Sequence, residues 1–479
     1  VSASIPVSID YSRKWKVMGA VSMGVLFATI DGSILNVALP TLVTDLKTTF
    51  PVLQWVVLAY LLTMATLTLL IGRLGDLMGK RSIFTSGFIV FTVASVLCAA
   101  SPSVGWLISF RIVQALGAAM TLSLGTAILT EAFPPSERGR ALGMIGTVVS
   151  IGIVSGPFLG GLLIEAASWR WIFLVNLPVG IIGTLTAWRF VPKTPGSPTA
   201  SIDVAGAATL CIALLSFSLA LTLGQDAGFG APPILGLFAG AALALAAFIR
   251  VELRTPEPMI QLRLLANPSL ASSIASGYLG FIAIGGYFLI LPFYLEASLG
   301  LDPAATGRLL AIGPIALGVV APLSGRLSDR IGVRPLTISG LVFLTIAYAA
   351  GSRLGVDTTV AQFLTLTIPV GIGMGVFQSP NNSAVMGAVG RLHAGFGGGL
   401  LALTRILGQL TGIAVLGSVW AWRIAARGGG SIGEASPGAV AGATSDTLLL
   451  MGAMMAVATL IAVWGVAKER SPSVSVTPG

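Results

Sequence analysis

Asp31 stands inside an apolar run, Val17 to Leu39, where an ionised carboxylate costs roughly 2.5–3.5 kcal/mol on insertion scales. Two escapes are open to it. It can take up a proton and become neutral, or it can be satisfied as a structural carboxylate by Ser33 or by a neighbouring helix. A carboxylate that gains and loses a proton as its surroundings open to each side of a membrane is what coupling to a proton gradient requires. Arg111 stands in a second apolar run, 104–130. A guanidinium keeps its charge, so its chemistry is to pair with the carboxylate or bias it, not to carry the proton. At about 1.5 Å per residue, Asp31 lies roughly 12 Å and Arg111 roughly 10 Å from the outer ends of their runs. The two can meet if their helices are neighbours. Gln114, three residues beyond Arg111, shares its helix face.

A second polar set lies late in the chain. Gln378, Asn381 and Asn382 are spaced three and four apart, and Arg405 and Gln409 four apart, so each group shares a helix face. They either line a cavity or act as interhelical glue. Glu296, Asn36, Gln54 and Tyr287 complete the candidate cavity residues, although Glu296 at a run's end reads more readily as a solvated helix-end charge. The chemistry of enzymes is missing from the pattern. The single histidine, His393, falls between apolar runs, and the two cysteines, Cys98 and Cys211, fall within them. Neither a metal cluster nor a nucleophile–base pair can be assembled from these. No metal or other cofactor is expected, and no enzyme.

The elements that must position these residues follow from composition. Hydrophobic residues are 55% and charged residues only 9% of 479 positions, too few charges for an ordinary water-facing surface. The apolar residues come in blocks of about 17 or more, the length that crosses a bilayer core. The runs fall at 17–39, 53–72, 82–100, 104–130, 140–163, 171–190, 203–223, 232–250, 270–295, 306–325, 336–352, 359–386, 397–420 and 446–466. With a cytoplasmic N terminus, 19 of the 27 Lys and Arg lie on the cytoplasmic side, six outside, and Arg111 and Arg405 within spans. That bias orients the chain with both termini cytoplasmic. It also accounts for the net charge of +9 without a nucleic-acid partner.

Gly72-Arg73-Leu-Gly-Asp76-Leu-Met-Gly79-Lys-Arg81 follows the second span, and Gly325-Arg326-Leu-Ser-Asp329-Arg330-Ile-Gly332 follows the tenth. The duplication predicts two related six-helix halves. Residues 1–190 form one, 269–479 the other, and 191–268 a linker carrying two inserted spans. Twelve spans with a long cytoplasmic loop is the competing count. The loop residues read as a conformational latch, with Asp76 and Asp329 at helix N-termini, where the dipole favours an anion. Gly152, Gly156 and Gly160 repeat every four residues, which makes a flat face for close helix approach. Pro157 removes one backbone hydrogen bond beside them.

The duplicated loop resembles the signature loop of the major facilitator superfamily. Asp31-Gly-Ser-Ile-Leu-Asn36-Val-Ala-Leu-Pro40 is similar to the first-span motif of its fourteen-span drug:proton antiporters. Arg111-Ile-Val-Gln114-Ala-Leu-Gly117 resembles their arginine motif, with Ala115 where the family usually has Gly. Gly152-Ile-Val-Ser-Gly156-Pro157-Phe-Leu-Gly160-Gly161 resembles the antiporter motif, and Trp169-Arg-Trp-Ile-Phe-Leu-Val-Asn176-Leu-Pro178 is a further likeness. The resemblance implies an all-α integral membrane protein of the major facilitator fold. It implies alternating access around a midplane cavity, with Asp31 and Arg111 coupling proton entry to export of hydrophobic or amphipathic compounds, cationic ones included. A monomer in the cytoplasmic (inner) membrane, with a small-molecule substrate, is the matching expectation. An exporter or facilitator of an endogenous metabolite, lipid or siderophore is the alternative on the same fold.

Overall fold

The computed structural model describes residues 13–134, 137–193, 203–255, 258, 264, 266–389, 394–428 and 435–470; His393 and part of each linker lie outside them. Where lipid offers no hydrogen-bond partner, a spanning segment must satisfy its own backbone, and every long apolar run is a helix. The first group is α1 (Lys14–Asp45), α2 (Phe50–Met78), α3 (Lys80–Ala99), α4 (Val104–Ala132), α5 (Arg138–Ala166), the short α6 (Trp171–Leu174) and α7 (Asn176–Phe190). Next come α8 (Val204–Ala227) and α9 (Pro232–Arg254). The last group is α10 (Pro268–Phe293), which runs into a π-helical turn at Tyr294–Ser298, then α11 (Pro303–Ile331), α12 (Val333–Gly351), α13 (Val360–Val389), α14 (Ala394–Ala426) and α15 (Pro437–Arg470). Fourteen of these segments are long and apolar enough to cross a membrane, with α6 and α7 counted as one, and the inserted pair α8–α9 is among them.

Local chemistry starts several of these helices. The side chains of Asp203, Asn267 and Asp302 accept from backbone N–H groups in the first turns of α8, α10 and α11, which caps otherwise orphaned donors. The first turns of α2, α9, α10 and α11 contain proline, where its missing N–H costs nothing.

Packing follows the duplication. In the first group α1 lies on α5, α3 on α4 and α7, and α2 on α4; in the last, α10 lies on α14 and α15, and α13 on α11 and α12. Two seams join the groups, α5 against α11 and α2 against α14. The inserted α8 packs on α9 and also touches both α2 and α14, whereas α9 is the most exposed helix, with Leu243 72% exposed.

With an even number of crossings, both termini fall on one side, here termed the terminal side; the opposite is the far side. The far ends of both groups share one apolar cluster, in which Phe50 of α2 packs edge-on against Phe293 of α10 and tilted against Trp420 of α14, at 5.3 and 5.2 Å between centroids. Toward the terminal side the apolar clusters separate, one mostly from the first group and one from the last. The far side is shut.

The duplicated motifs sit differently from the expected latch. Gly72 and Gly325 are not loop residues, because α2 and α11 run through them to Met78 and Ile331. Single glycines, Gly79 (φ +92°) and Gly332 (φ +91°), make the connections to α3 and α12, a backbone region closed to most side chains. Asp76 and Asp329 therefore occupy the last turns of their helices, not N-termini. Asp329, Arg326 and Arg330 are exposed, with no ion pair among the described residues. The side chains of Arg73 and Asp76 lie outside the described set. Arg81 donates to Trp188 O on α7, so it ties α3 within its own group.

Candidate functional site

Asp31 on α1 is fully buried, as are Arg111 and Gln114 on α4, and the structure brings the three together. Arg111 Nη1 donates to Asp31 Oδ2 at 2.6 Å, and Gln114 Nε2 donates to Oδ1 at 2.8 Å. Arg111 also donates from Nη1 to Gln114 Oε1 at 2.7 Å and from Nε to Val56 O of α2 at 3.2 Å, beneath the Tyr60 ring at 4.1 Å. The i, i+3 spacing on α4 is what lets one helix face the carboxylate with two donors.

Two members were not assigned to the site from sequence. Asn176, at the start of α7, donates from Nδ2 to Asp31 Oδ1 at 3.2 Å, and Ser95 of α3 accepts from Gln114 Nε2 at 2.8 Å. Ser33, considered as a partner for Asp31, turns to its own helix and to Gly152 O of α5 instead. The site is thus a closed network of five helices, α1, α2, α3, α4 and α7, built on one carboxylate. Its members are buried, and it pairs a carboxylate with a guanidinium. A buried pair of this kind is held by geometry, and removal of one member leaves the other stranded. Neutralising Asp31 would release Arg111 from its main partner, so the network has two chemically distinct states.

The glycines of α5 do lie against α1. A Cβ on Gly156 would fall 2.8 Å from Ile34 N, and one on Gly160 3.0 Å from Ile34 O. The next position extends the contact to the other group, since Gly161 and Pro157 O press on Pro303, Ala304 and Gly307 of α11. α5 therefore touches both the Asp31 helix and one seam.

The remaining candidates do not converge on one cavity. Gln54 is buried in the α2/α14 seam, where its Nε2 donates to Ile413 O at 3.4 Å. Tyr287 is buried in ring contact with Phe288 and Tyr348. Asn381, with Ser272, Ser276, Thr337 and Arg334 but without Gln378, lines a cavity of about 430 Å³ between α10, α12, α13 and α15 on the terminal side. Its Oδ1 is buried without a partner among the described residues. Gln378, Asn382, Arg405, Gln409 and Asn36 are half-buried, and Arg405 makes no ion pair among the described residues. Glu296 lies in the π-helical turn, half-buried, with Oε1 unpartnered among the described residues.

Comparison with known proteins gives a consistent picture. Residues 21–413 match the family model described as Major Facilitator Superfamily. The chain is 34% identical over 410 residues to the riboflavin transporter RibZ of Clostridioides difficile, covering 85% of this chain and 89% of that one. It is 32% identical over 404 residues to the methylenomycin A resistance protein of Streptomyces coelicolor, covering 84% of each. It is 28% identical over 409 residues to the multidrug transporter protein MdtP of Bacillus subtilis, covering 85% and 75%. Among solved structures, a bacterial homologue of the human lysosomal transporter Spinster superposes with a TM-score of 0.69 at 17% identity, covering 96% and 99% of the two chains.

Proposed function

The chain belongs to the major facilitator superfamily, a multi-pass membrane transporter and not an enzyme, and we propose that it is a proton-coupled antiporter that exports hydrophobic or amphipathic compounds, cationic ones included. The observation that carries this reading is the closed Asp31–Arg111–Gln114–Asn176 network. It isolates one ionisable carboxylate from water in a conformation whose far side is shut. Proton uptake at Asp31 would loosen α1 from α4 and α7, and α1 carries that change to α5 and the seam. A multidrug transporter and a methylenomycin A resistance protein among the relatives support the substrate class. In this reading the halves are residues 1–190 and 269–479, rocking around the linker 191–268. The monomeric chain sits in the cytoplasmic (inner) membrane with both termini inside, as the distribution of Lys and Arg favours.

The 34% identity to a riboflavin transporter favours a second reading, transport of a polar aromatic metabolite on the same scaffold. One experiment separates them. Purified protein in proteoliposomes is given an imposed pH gradient and challenged in parallel with a lipophilic cationic dye and with riboflavin. Gradient-driven movement of the dye supports the antiporter reading. Movement of riboflavin alone, indifferent to the pH gradient, refutes it in favour of the second.

A further inference from the structure

Helices α8 and α9 stand outside the duplication, yet α8 brings a polar cluster to the far-side seam. Gln225 Nε2 donates to Gln54 Oε1 of α2 at 3.2 Å and to Ser418 Oγ of α14 at 2.8 Å. The Ser418 hydroxyl hydrogen lies between Ala414 O at 2.6 Å and Leu221 O of α8 at 3.1 Å. One turn earlier on α8, Thr222 accepts from Trp55 Nε1 of α2 at 3.1 Å. Gln54, Ser418 and Thr222 are all buried. One amide on an inserted helix thus holds both groups, next to the Phe50–Phe293–Trp420 contacts that shut the far side.

Buried amides and hydroxyls stabilise an arrangement only when their partners are in place. Leucine would fill the same space in any arrangement, so glutamine and serine here single out the closed one. The clasp is also incompletely satisfied. Gln225 Oε1 is buried with no partner among the described residues, which offsets part of the gain and leaves the contact weak enough to open. When the far ends of α2 and α14 part, the Gln225 amide can keep only one of its two acceptors.

We propose that Gln225 is a positioning residue of the transport cycle, and that α8 is a clasp holding the far side shut by joining α2 to α14 through Gln54 and Ser418. The inference rests on the alternating-access reading above. Its test is hydrogen–deuterium exchange of the full chain in nanodiscs, comparing wild type with Gln225→Glu, which keeps the shape but loses the donor when ionised, and Gln225→Leu. Both variants should exchange about two- to tenfold faster at residues 47–58 and 410–426, the shift expected from losing roughly one net hydrogen bond. Segments on the terminal side should be unchanged. Gln225→Asn, shorter but still a donor, should fall between. Far-side exchange equal to wild type in both Gln225→Glu and Gln225→Leu, or exchange raised evenly along the chain, overturns the clasp. Wild type serves as the control on the underlying reading. If its far-side protection never responds to a pH step or to a transported dye, alternating access itself fails; if it responds while both variants match it, the clasp alone fails.

Discussion

Asp31→Asn tests the central network most directly. The substitution keeps one acceptor oxygen for Gln114 and Asn176 but turns an NH₂ group toward Arg111 Nη1, where Oδ2 had accepted at 2.6 Å. Arg111, 1% exposed, is left as a buried charge without its counter-ion. Stranding one member of a buried pair costs about 3–5 kcal/mol. The remaining contacts to Val56 O, Gln114 Oε1 and the Tyr60 ring place this case near the lower end. The single variant should therefore lose both coupling and thermal stability. Asp31→Asn/Arg111→Gln removes both charges and should regain most of the stability, because two facing amides can satisfy each other. The double variant should insert, bind and exchange substrate in counterflow, yet fail to accumulate it against a pH gradient. Each pH unit supplies about 1.4 kcal/mol per proton, so one-for-one exchange by the wild type sustains about a tenfold substrate gradient per unit. The double variant should sustain none. Accumulation at the wild-type level by the double variant in proteoliposomes would refute the assignment of the proton to Asp31.

Three further outcomes are expected. Asn176→Ala removes one of the donors to Asp31 and should lower thermal stability by about 1 kcal/mol, with reduced gradient-driven transport and unchanged counterflow; equal loss in both assays would reduce Asn176 to a packing residue. Gly307→Ala puts a Cβ against Pro157 O and within 3.1 Å of Gly161 Cα; since backbone cannot yield, the closed α5/α11 seam should lose about 1–3 kcal/mol, read as raised far-side hydrogen exchange, and unaltered exchange would show that the seam has slack. A cysteine placed at Gly228, between α8 and α9, should react with a membrane-impermeant maleimide added on the far side; reaction from the terminal side would reduce the crossings to twelve.

Much of this was legible from the residues, for physical reasons that differ by case. Span number is imposed by bilayer thickness, so length and hydropathy carry it, and all fourteen segments appear as helices. The meeting of Asp31 and Arg111 was legible because two charges at matched depths in an apolar medium have few places to go. Ser95 was invisible, because it also donates to Phe91 O of its own helix, as serines in membrane helices commonly do. Asn176 gave no signal of direction, since its approach to Asp31 depends on the break between α6 and α7. Gln54 and Gln225 stand 171 positions apart, and no local spacing connects them. Asp76 and Asp329 were misplaced at helix starts because the neighbouring glycines read as loops. Hydrogen-bonded helix instead continues through Gly72 and Gly325, where the backbone is satisfied internally, and stops only where φ turns positive.

The repeated motif also lets the surroundings of the buried acid be compared between the two groups of helices. Alignment of the two motifs at Gly79 and Gly332 sets Phe84 opposite Thr337. Phe84 is fully buried and joins Phe27, Phe88 and Phe91 in a packed aromatic cluster within the first group, on the terminal side of Asp31. Thr337 lines the 430 Å³ cavity at the matching place in the other half. At the depth of Asp31, the second half holds the neutral Tyr287–Tyr348 pair, 6.0 Å between centroids. If Asp31 carries the coupled proton, an aromatic floor would keep water from its ion pair, and a hydroxyl-lined cavity in the same place would let water reach it. The half with the floor carries the carboxylate, and the half with the cavity carries no acid at comparable depth. On the antiporter reading, proton handling and solvent access would be divided between the two groups of helices. Thr337→Phe, which rebuilds the floor in the second half, should therefore leave gradient-driven transport intact, and loss of coupling in that variant would show that the cavity belongs to the proton path.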